Sequence, residues 1–201
     1  MDTPIHPKFT SLAYALILFR ETGYPCVFYG DMYGTSEPFL SSPTCDGNLG
    51  NLILARKLYA YGEQQDYFQD PDCIGWVRRG IPDTAGSQAS GMAVVMNWVG
   101  GHKRKSDDDQ SILDKPRWMR RLSGLTVKFG FMPKRPPHCE REMNVGSQHA
   151  GEVWTDVLNG HSHQVTIRSD GSAAFPCEVN SVAVYVSDSA VRRQDFSVPS
   201  A

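Results

Sequence analysis

The first 62 residues contain two apolar stretches at helical spacing, separated by a short, continuous apolar run. In residues 9–21, apolar side chains recur every three or four residues on more than one face, which predicts a helix packed between neighbours. Gly23 and Pro25 end this pattern, and residues 24–29 predict a buried strand because they are mostly apolar, β-branched or aromatic. Residues 48–61 predict a second helix. Helix, buried strand and helix in this order are typical of one unit of a parallel α/β sheet.

From about residue 66 the chain changes to short strand-like runs separated by turn residues. The runs are residues 73–78, 91–98, 164–168, 172–177 and 181–187. Turn signals such as Ser169-Asp170-Gly171 separate them. Short, regularly spaced strands of this kind predict an antiparallel β-sandwich. We therefore expect a domain boundary between residues 62 and 72.

A basic segment, residues 103–141, fits neither half of the chain. It contains eleven Lys and Arg residues against five Asp and Glu, although the whole chain has a formal net charge of −2. A basic run with interleaved aromatic residues, here Trp118 between Arg117 and Arg120, could mark a nucleic-acid or membrane surface. The segment has little apolar periodicity and no nucleic-acid-binding motif, which favours a solvated, disordered insertion.

Composition and charge restrict the function classes only broadly. The chain has 201 residues, of which 40% are hydrophobic and 21% charged, values typical of one medium or two small globular domains. The small net charge gives no electrostatic reason to expect nucleic acid or an anionic membrane as a partner. The apolar run at residues 12–19 is too short to cross a membrane and carries no leader-like flanks, so we expect a cytoplasmic protein.

The five cysteines are scattered, with no Cys-x-x-Cys pair and no Cys/His pair at the spacing of zinc ligands. An odd number of cysteines in a chain of this size argues against a disulfide framework. We expect most of them to be buried thiols, because free cysteine often behaves as a small hydrophobic residue.

Three sequence blocks are the most specific in the chain. They are Gly23-Tyr-Pro-Cys-Val-Phe-Tyr-Gly-Asp-Met-Tyr-Gly34, Ala55-Arg-Lys-Leu-Tyr-Ala-Tyr-Gly62 and Ala150-Gly-Glu-Val-Trp-Thr-Asp156. With several shorter blocks they resemble, in the same order, the C-terminal part of the liquefying α-amylases of glycoside hydrolase family 13. The resemblance covers most of residues 11–102 and 142–187. It implies an α/β fragment, the last unit of a TIM-type (β/α)8 barrel, at residues 1–65, and an antiparallel all-β sandwich domain at residues 66–201.

The resemblance also places the basic segment inside a family motif. The family pattern Gly-Gly-x-Lys-x-Met-x-Val-Gly has its first half at residues 100–104 and its second half at residues 143–146. About forty residues separate the halves, and an insertion within one strand is costly unless it loops out. We hypothesise that residues 103–141 are a gene-model artefact such as a translated, unspliced stretch; transcripts that contain these codons would contradict this.

The resemblance implies hydrolysis of α-1,4-glucans in the intact relatives but predicts no catalytic residue in this chain. Retaining glycosidases need two carboxyl groups across the scissile bond. In the family these, and a third stabilising Asp, precede the matched part, and the sequence around His6 does not match the expected Asn-His-Asp context. We therefore expect a fragment that is inactive alone. The alternatives are a non-catalytic module that binds α-glucan or a protein partner, and a remnant with no function of its own.

Three residues at the end of the predicted strand are candidates for substrate binding. Asp31 follows the strand where catalytic groups tend to lie in a barrel, but one carboxylate cannot supply an acid and base pair, so a structural role is favoured. Tyr29 and Tyr33 could line a sugar cleft by stacking, or they could pack within the end of the barrel. Trp154 presents a similar choice between a surface sugar site and a core position, and the core is favoured.

Calcium is the cofactor that the resemblance implies. In the family, one calcium site uses the segment that matches Pro71 and Asp72 and an Asp at the position of Asn97. Because calcium takes six to eight oxygen ligands and Asn97 is neutral, binding by this chain is doubtful, and Asp72 is expected to be a turn residue.

Overall fold

The computed structural model describes residues 5–36, 41–82, 87–98, 138–158 and 163–196. Three α-helices lie in the first part: α1 Thr10–Phe19, α2 Tyr29–Tyr33 and α3 Leu49–Tyr59. The strands are β1 Gln64–Asp70, β2 Cys73–Arg78, β3 Met92–Asn97, β4 His138–Asn144, β5 Val153–Asp156, β6 Gln164–Thr166, β7 Ser172–Glu178 and β8 Ser181–Ser187. Among the described residues, no helix is long and apolar enough to cross a membrane.

The strands form two antiparallel sheets. The larger has six strands in the order β1-β2-β3-β8-β5-β6, and the smaller consists of β4 and β7. All paired strands are antiparallel, which is consistent with a β-sandwich and confirms the prediction of an antiparallel β region. The five predicted runs all contain strands, whereas β1, β4 and β5 were not predicted.

Both faces of the six-stranded sheet are buried, each in a separate apolar cluster. Because successive side chains of a strand point to opposite faces, β8 sends Val182, Val184 and Val186 into one cluster and Ala183 and Tyr185 into the other. The first cluster contains the buried side chains of α1 and α3. The second is closed by side chains of β4 and β7. Burial on both faces explains why the central strands are nearly continuous apolar runs.

Hydrogen bonds near the C-terminal end of α3 connect the helices to the sheet. The chain leaves the helix through Gly62, whose φ is +77° and where a Cβ would lie 1.9 Å from the carbonyl oxygen of Gly80, so no larger residue fits. The buried guanidinium of Arg78 donates to the carbonyl oxygen of Gly62 at 2.9 Å and to that of Phe19, the last residue of α1, at 3.2 Å. One side chain of β2 therefore binds the ends of both longer helical segments.

The prediction of a buried strand at residues 24–29 is wrong. Residues 24–28 pair with no strand of the described residues, and the chain turns into α2 at Tyr29. Tyr24 and Phe28 are 99% and 64% exposed. An apolar run becomes a strand only where a neighbouring strand supplies hydrogen bonds and a covering layer, and the described residues supply neither at this position.

Two further expectations need correction at β4. Residues 138–141, predicted to belong to a disordered insertion, form the first half of this strand, whereas residues 103–137 lie outside the described residues. Cys139 is joined to Cys73 of β2 by a disulfide with a Cα–Cα distance of 6.3 Å. Packing of the small sheet on the large one brings these two residues together. Cys45 and Cys177 are buried thiols as expected, and the thiol of Cys26 is exposed.

Candidate functional site

The short helix α2 carries two exposed tyrosines on one face. Tyr29 and Tyr33 are four residues apart, so their side chains lie one turn above the other. Their ring centroids are 4.7 Å apart with the planes inclined at 41°, and the residues are 72% and 65% exposed. Exposed aromatic rings in adjacent positions provide an apolar surface against which the C–H face of a sugar ring can pack. We call this surface the tyrosine pair.

Asp31 lies on the same helix, but its carboxylate is engaged with the protein. It accepts a hydrogen bond from the hydroxyl of Tyr14 on α1. The same hydroxyl accepts from the backbone N–H of Phe28 at 3.4 Å, and the backbone oxygen of Asp31 accepts from the N–H of Thr44 at 2.9 Å. Burial and the hydrogen bond to Asp31 raise the pKa of Tyr14 to about 12. Asp31 therefore connects α1, α2 and the loop before α3.

A groove of about 670 Å³ runs beside this contact. Its described lining is largely apolar and includes Tyr14, Ile17, Val27, Phe28 and Asp31. Asp31 supplies the carboxyl group among those lining residues. The volume falls within the range typical of small-molecule sites, and apolar walls with few polar groups are their usual composition. A single carboxylate within such walls can orient a ligand but cannot serve as both nucleophile and acid.

The structure places the three residues predicted to bind substrate on one short helix and not at the end of a strand, and it brings together only the side chains of Tyr29 and Tyr33. Asp31 lines the groove with the neighbouring Phe28, while Tyr29 and Tyr33 form the exposed pair on the same helix. Tyr14 was missed by the sequence reasoning because nothing in the spacing of 17 residues indicates that its hydroxyl meets Asp31. Trp154 is fully buried in the core, so its ring is not a sugar-stacking surface.

The two predicted calcium ligands do not assemble a suitable donor set in the described residues. The buried side chain of Asn97 donates through Nδ2 to the carbonyl oxygen of Cys177 at 3.1 Å. Asp72 lies in the turn between β1 and β2, where its N–H bonds to Asp70 Oδ1 at 3.0 Å and its carbonyl oxygen accepts from Trp98. No group of three or more potential metal-binding side chains occurs in the part of the chain that the structure describes. These residues do not fit a calcium ion that needs six or more oxygens.

Comparison with known proteins shows which sequences this chain is similar to. No family model matches it. It is 36% identical over 182 residues to the α-amylase of Geobacillus stearothermophilus, a match that covers 90% of this chain and 26% of that protein. The α-amylase of Bacillus licheniformis is 34% identical over 187 residues, covering 92% of this chain and 29% of that protein. The cytoplasmic α-amylase of Escherichia coli is 28% identical over 194 residues, covering 92% and 31%.

These similarities confirm the resemblance to the C-terminal part of the liquefying α-amylases that the sequence blocks indicated. The chain spans between a quarter and a third of the length of the curated relatives it matches.

Proposed function

We propose that this chain, which resembles α-amylases over most of its length, is part of an α-amylase-type glycoside hydrolase and contacts α-1,4-glucan without performing the hydrolysis itself. The sequence similarity to α-amylases along nine tenths of the chain is the observation that carries this proposal. The tyrosine pair and the groove beside it are the surfaces that we assign to the glucan. Asp31 anchors α2, which carries the tyrosine pair, to Tyr14, which lines the groove.

The assignment of a non-catalytic role rests on the mechanism of retaining glycosidases. Two carboxyl groups must face each other across the scissile bond, one as nucleophile and one as acid and base. The described lining of the groove offers only the carboxyl group of Asp31, which already accepts the hydroxyl of Tyr14. We infer that the pair comes from the part of the relatives that lies outside the matched region.

We further propose that residues 1–65 correspond to the last unit of a (β/α)8 barrel and residues 66–201 to the β domain that follows it. Exposed apolar side chains on α1 support this division, since Leu16 and Ile17 are 38% and 46% exposed. A helix that is apolar on more than one face normally packs between two neighbours, and the sheet covers one face of α1. The second neighbour would be the preceding unit of the barrel.

Hydrolysis is tested directly by incubating the purified full chain with soluble starch and measuring the reducing ends released. We expect no release above that of a buffer control, because the described lining of the groove offers only one carboxyl group. Release well above the control would contradict the non-catalytic role. The complete α-amylase of Bacillus licheniformis under the same conditions serves as the positive control.

Glucan binding is tested by retention of the full chain on immobilised starch. We expect retention that falls about thirtyfold in the variant Tyr29→Ala/Tyr33→Ala, because two ring contacts of about 1 kcal/mol each are lost. Tyr24→Ala is the matched control: this tyrosine is 99% exposed and precedes α2, and its loss should leave retention unchanged. Passage of the unmodified chain through the column without delay would instead favour a remnant with no binding function.

A further inference from the structure

The tyrosine pair lies on a helix that is too short to be stable without contacts to the rest of the protein. α2 has five residues, whereas isolated helices shorter than about 12 residues are marginal in water. Its N-cap residue is Phe28, whose side chain forms no capping hydrogen bond, and Gly30 in the first turn lowers the intrinsic helical tendency. The spacing of Tyr29 and Tyr33 brings their rings together only while this helix is formed. Another part of the chain therefore has to stabilise it.

The hydroxyl of Tyr14 on α1 supplies the missing cap. It donates to Oδ2 of Asp31, the third residue of α2, and accepts from the backbone N–H of Phe28 at 3.4 Å. In a capping box, the side chain of the third helical residue bonds directly to the N–H of the N-cap residue. Here the same two groups are connected through the hydroxyl of a side chain from a different helix. The start of α2 thus depends on α1 for a contact that a capping box makes within one segment of sequence.

The other contacts of α2 do not replace this cap. The backbone oxygen of Asp31 accepts from the N–H of Thr44 at 2.9 Å, and the N–H of Gly34 donates to the carbonyl oxygen of Gly30 at 2.8 Å. Neither contact reaches the N–H of Phe28 or the side chain of Asp31. Within the part of the chain that the structure describes, the Tyr14 hydroxyl is the hydrogen-bond partner that these two groups share.

The same two hydrogen bonds engage the Tyr14 hydroxyl within the protein. A tyrosine hydroxyl has one proton to donate, and the Asp31 carboxylate accepts it. Tyr14 lines the groove, but it is only 7% exposed. The hydroxyl therefore has no proton left with which to bind a sugar oxygen, and its contacts serve the helix that carries the tyrosine pair.

We propose that Tyr14 is a positioning residue for the tyrosine pair: its hydroxyl completes the cap of α2 and keeps the rings of Tyr29 and Tyr33 one turn apart, in the arrangement that binds glucan. When the cap is lost, α2 is folded in a smaller fraction of the molecules, and the apparent affinity falls in proportion to that fraction. That the pair binds glucan rests on the function proposed above, whereas the dependence of the ring contact on Tyr14 does not.

The ring contact is measured without ligand, in the full chain, by nuclear Overhauser effects between the rings of Tyr29 and Tyr33, whose centroids are 4.7 Å apart. Tyr14→Phe keeps the packed ring and removes the hydroxyl, and we expect it to weaken these effects. Asp31→Ala removes the other end of the cap and should do the same. Tyr59→Phe is the matched control, because the buried hydroxyl of this last residue of α3 bonds to a carbonyl oxygen outside α2. The ring contact should be unchanged in this variant.

Retention on immobilised starch tests whether Tyr14 acts through the tyrosine pair. We expect Tyr14→Phe to lower the retention of the full chain about fivefold, which corresponds to the net contribution of about one hydrogen bond. Adding Tyr14→Phe to Tyr29→Ala/Tyr33→Ala should cause no further loss, because the position of the helix no longer matters once the rings are absent. Retention of Tyr59→Phe should equal that of the unmodified chain.

An unchanged ring contact in Tyr14→Phe would overturn the proposal. A further fivefold loss of retention when Tyr14→Phe is added to Tyr29→Ala/Tyr33→Ala would also overturn it, since independent effects would mean that Tyr14 contacts glucan directly. If the unmodified chain passes through the starch column without delay, the function proposed for the tyrosine pair fails. The ring contact in Tyr14→Phe then still decides whether Tyr14 holds α2 in place.

Discussion

The two layers that cover the six-stranded sheet are fastened in different ways. The layer formed by β4 and β7 is attached covalently through Cys73–Cys139, and the guanidinium of Arg141 on β4 donates through Nε to the carbonyl oxygen of Cys73 at 3.0 Å. The helical layer is attached by side-chain hydrogen bonds to backbone, from Arg78 to the helix ends and from the hydroxyl of Tyr59 to the carbonyl oxygen of Val191 at 2.9 Å. In the described helices and strands of the two layers, only the helices expose large apolar side chains, among them Leu16 and Ile17 of α1.

This difference shows which covering layer serves only to pack against the sheet and which layer also presents a surface to solvent. The inner side chains of β4 and β7 are buried against the sheet, so that layer serves packing. The helical layer buries one face of α1 and presents the groove, the tyrosine pair and Phe28 to solvent. Exposed apolar surface beside a groove is typical of ligand and partner sites. The candidate glucan surface therefore lies on the less completely covered side of the sheet.

Removing the covalent attachment is expected to have the largest effect. Cys139→Ser should lower the free energy of unfolding by about 4 kcal/mol, because the bridge closes a loop of 66 residues in the unfolded chain. Chemical denaturation without reductant measures this change. Cys26→Ser is the matched control, since its thiol is exposed and unbridged. Five titratable thiols in the denatured, unreduced protein would contradict the presence of the bridge.

Weakening the attachment of the helical layer should lower the free energy of unfolding by less, and the effect should be concentrated in that layer. In Arg78→Met the stem of the side chain remains, but the carbonyl oxygens of Phe19 and Gly62 lose their buried donor. We expect a loss of about 2 to 3 kcal/mol, the cost of leaving buried acceptors unpaired. Hydrogen exchange should accelerate at the amides of α1 more than at those of β8.

Arg168→Met provides the control for Arg78→Met. Arg168 pairs with Glu142 at the solvent-exposed edge of the small sheet, and exposed ion pairs contribute little. Stability and exchange in this variant should equal those of the unmodified chain. Equal acceleration at α1 and β8 in Arg78→Met would mean that the two layers unfold as one unit, and the comparison between them would fail.

The sequence predicts those parts of this fold that depend on local pattern. Apolar runs identify β2, β3 and β8 because both faces of these strands are buried. The pattern does not reveal β1, whose residues from Gln64 to Asp70 are mostly polar and lie at the edge of the sheet. It also cannot say whether the run at residues 24–29 has a strand beside it. A neighbouring strand has to come from another part of the chain, which the local pattern does not show.

The candidate site follows the same division. Tyr29, Asp31 and Tyr33 are predicted from their position at the end of an apolar run. Tyr29 and Tyr33 do lie together, because their spacing places them one turn apart on a short helix, whereas the carboxylate of Asp31 points to Tyr14. The partners that decide what they do are distant in sequence. Tyr14 meets Asp31 across 17 residues, and Cys73 meets Cys139 across 66. Contacts of this kind arise from packing of layers, which no local spacing encodes.

The smallest predicted effect is a difference in the pH at which a buried group of each layer begins to reduce stability. The thiol of Cys177 on β7 lies in the core, with Sγ 3.3 Å from the carbonyl oxygen of Ser181, and burial raises its pKa from an ordinary 9.0 to about 12. In the helical layer, burial raises the pKa of Tyr59 from 10.0 to about 12. A raised pKa means that the unfolded chain loses its proton first. Stability is therefore full below the ordinary value and falls as the pH rises toward the folded one.

Between pH 9 and pH 10 the fall in the free energy of unfolding should thus come more from Cys177 in the small sheet than from Tyr59 in the helical layer. The Cys177 thiol should cost the unmodified chain about 1 kcal/mol of stability over this interval. Cys177→Ala should show a correspondingly smaller decline, although its stability at pH 7 is lower by the loss of packing. Tyr59→Phe is less stable at every pH because it loses the hydrogen bond to Val191, but its decline should nearly equal that of the unmodified chain up to pH 10 and be smaller above it. Denaturation curves at pH 8, 9, 10 and 11 measure both differences, and identical pH profiles for all three proteins would contradict the assignment of these buried groups.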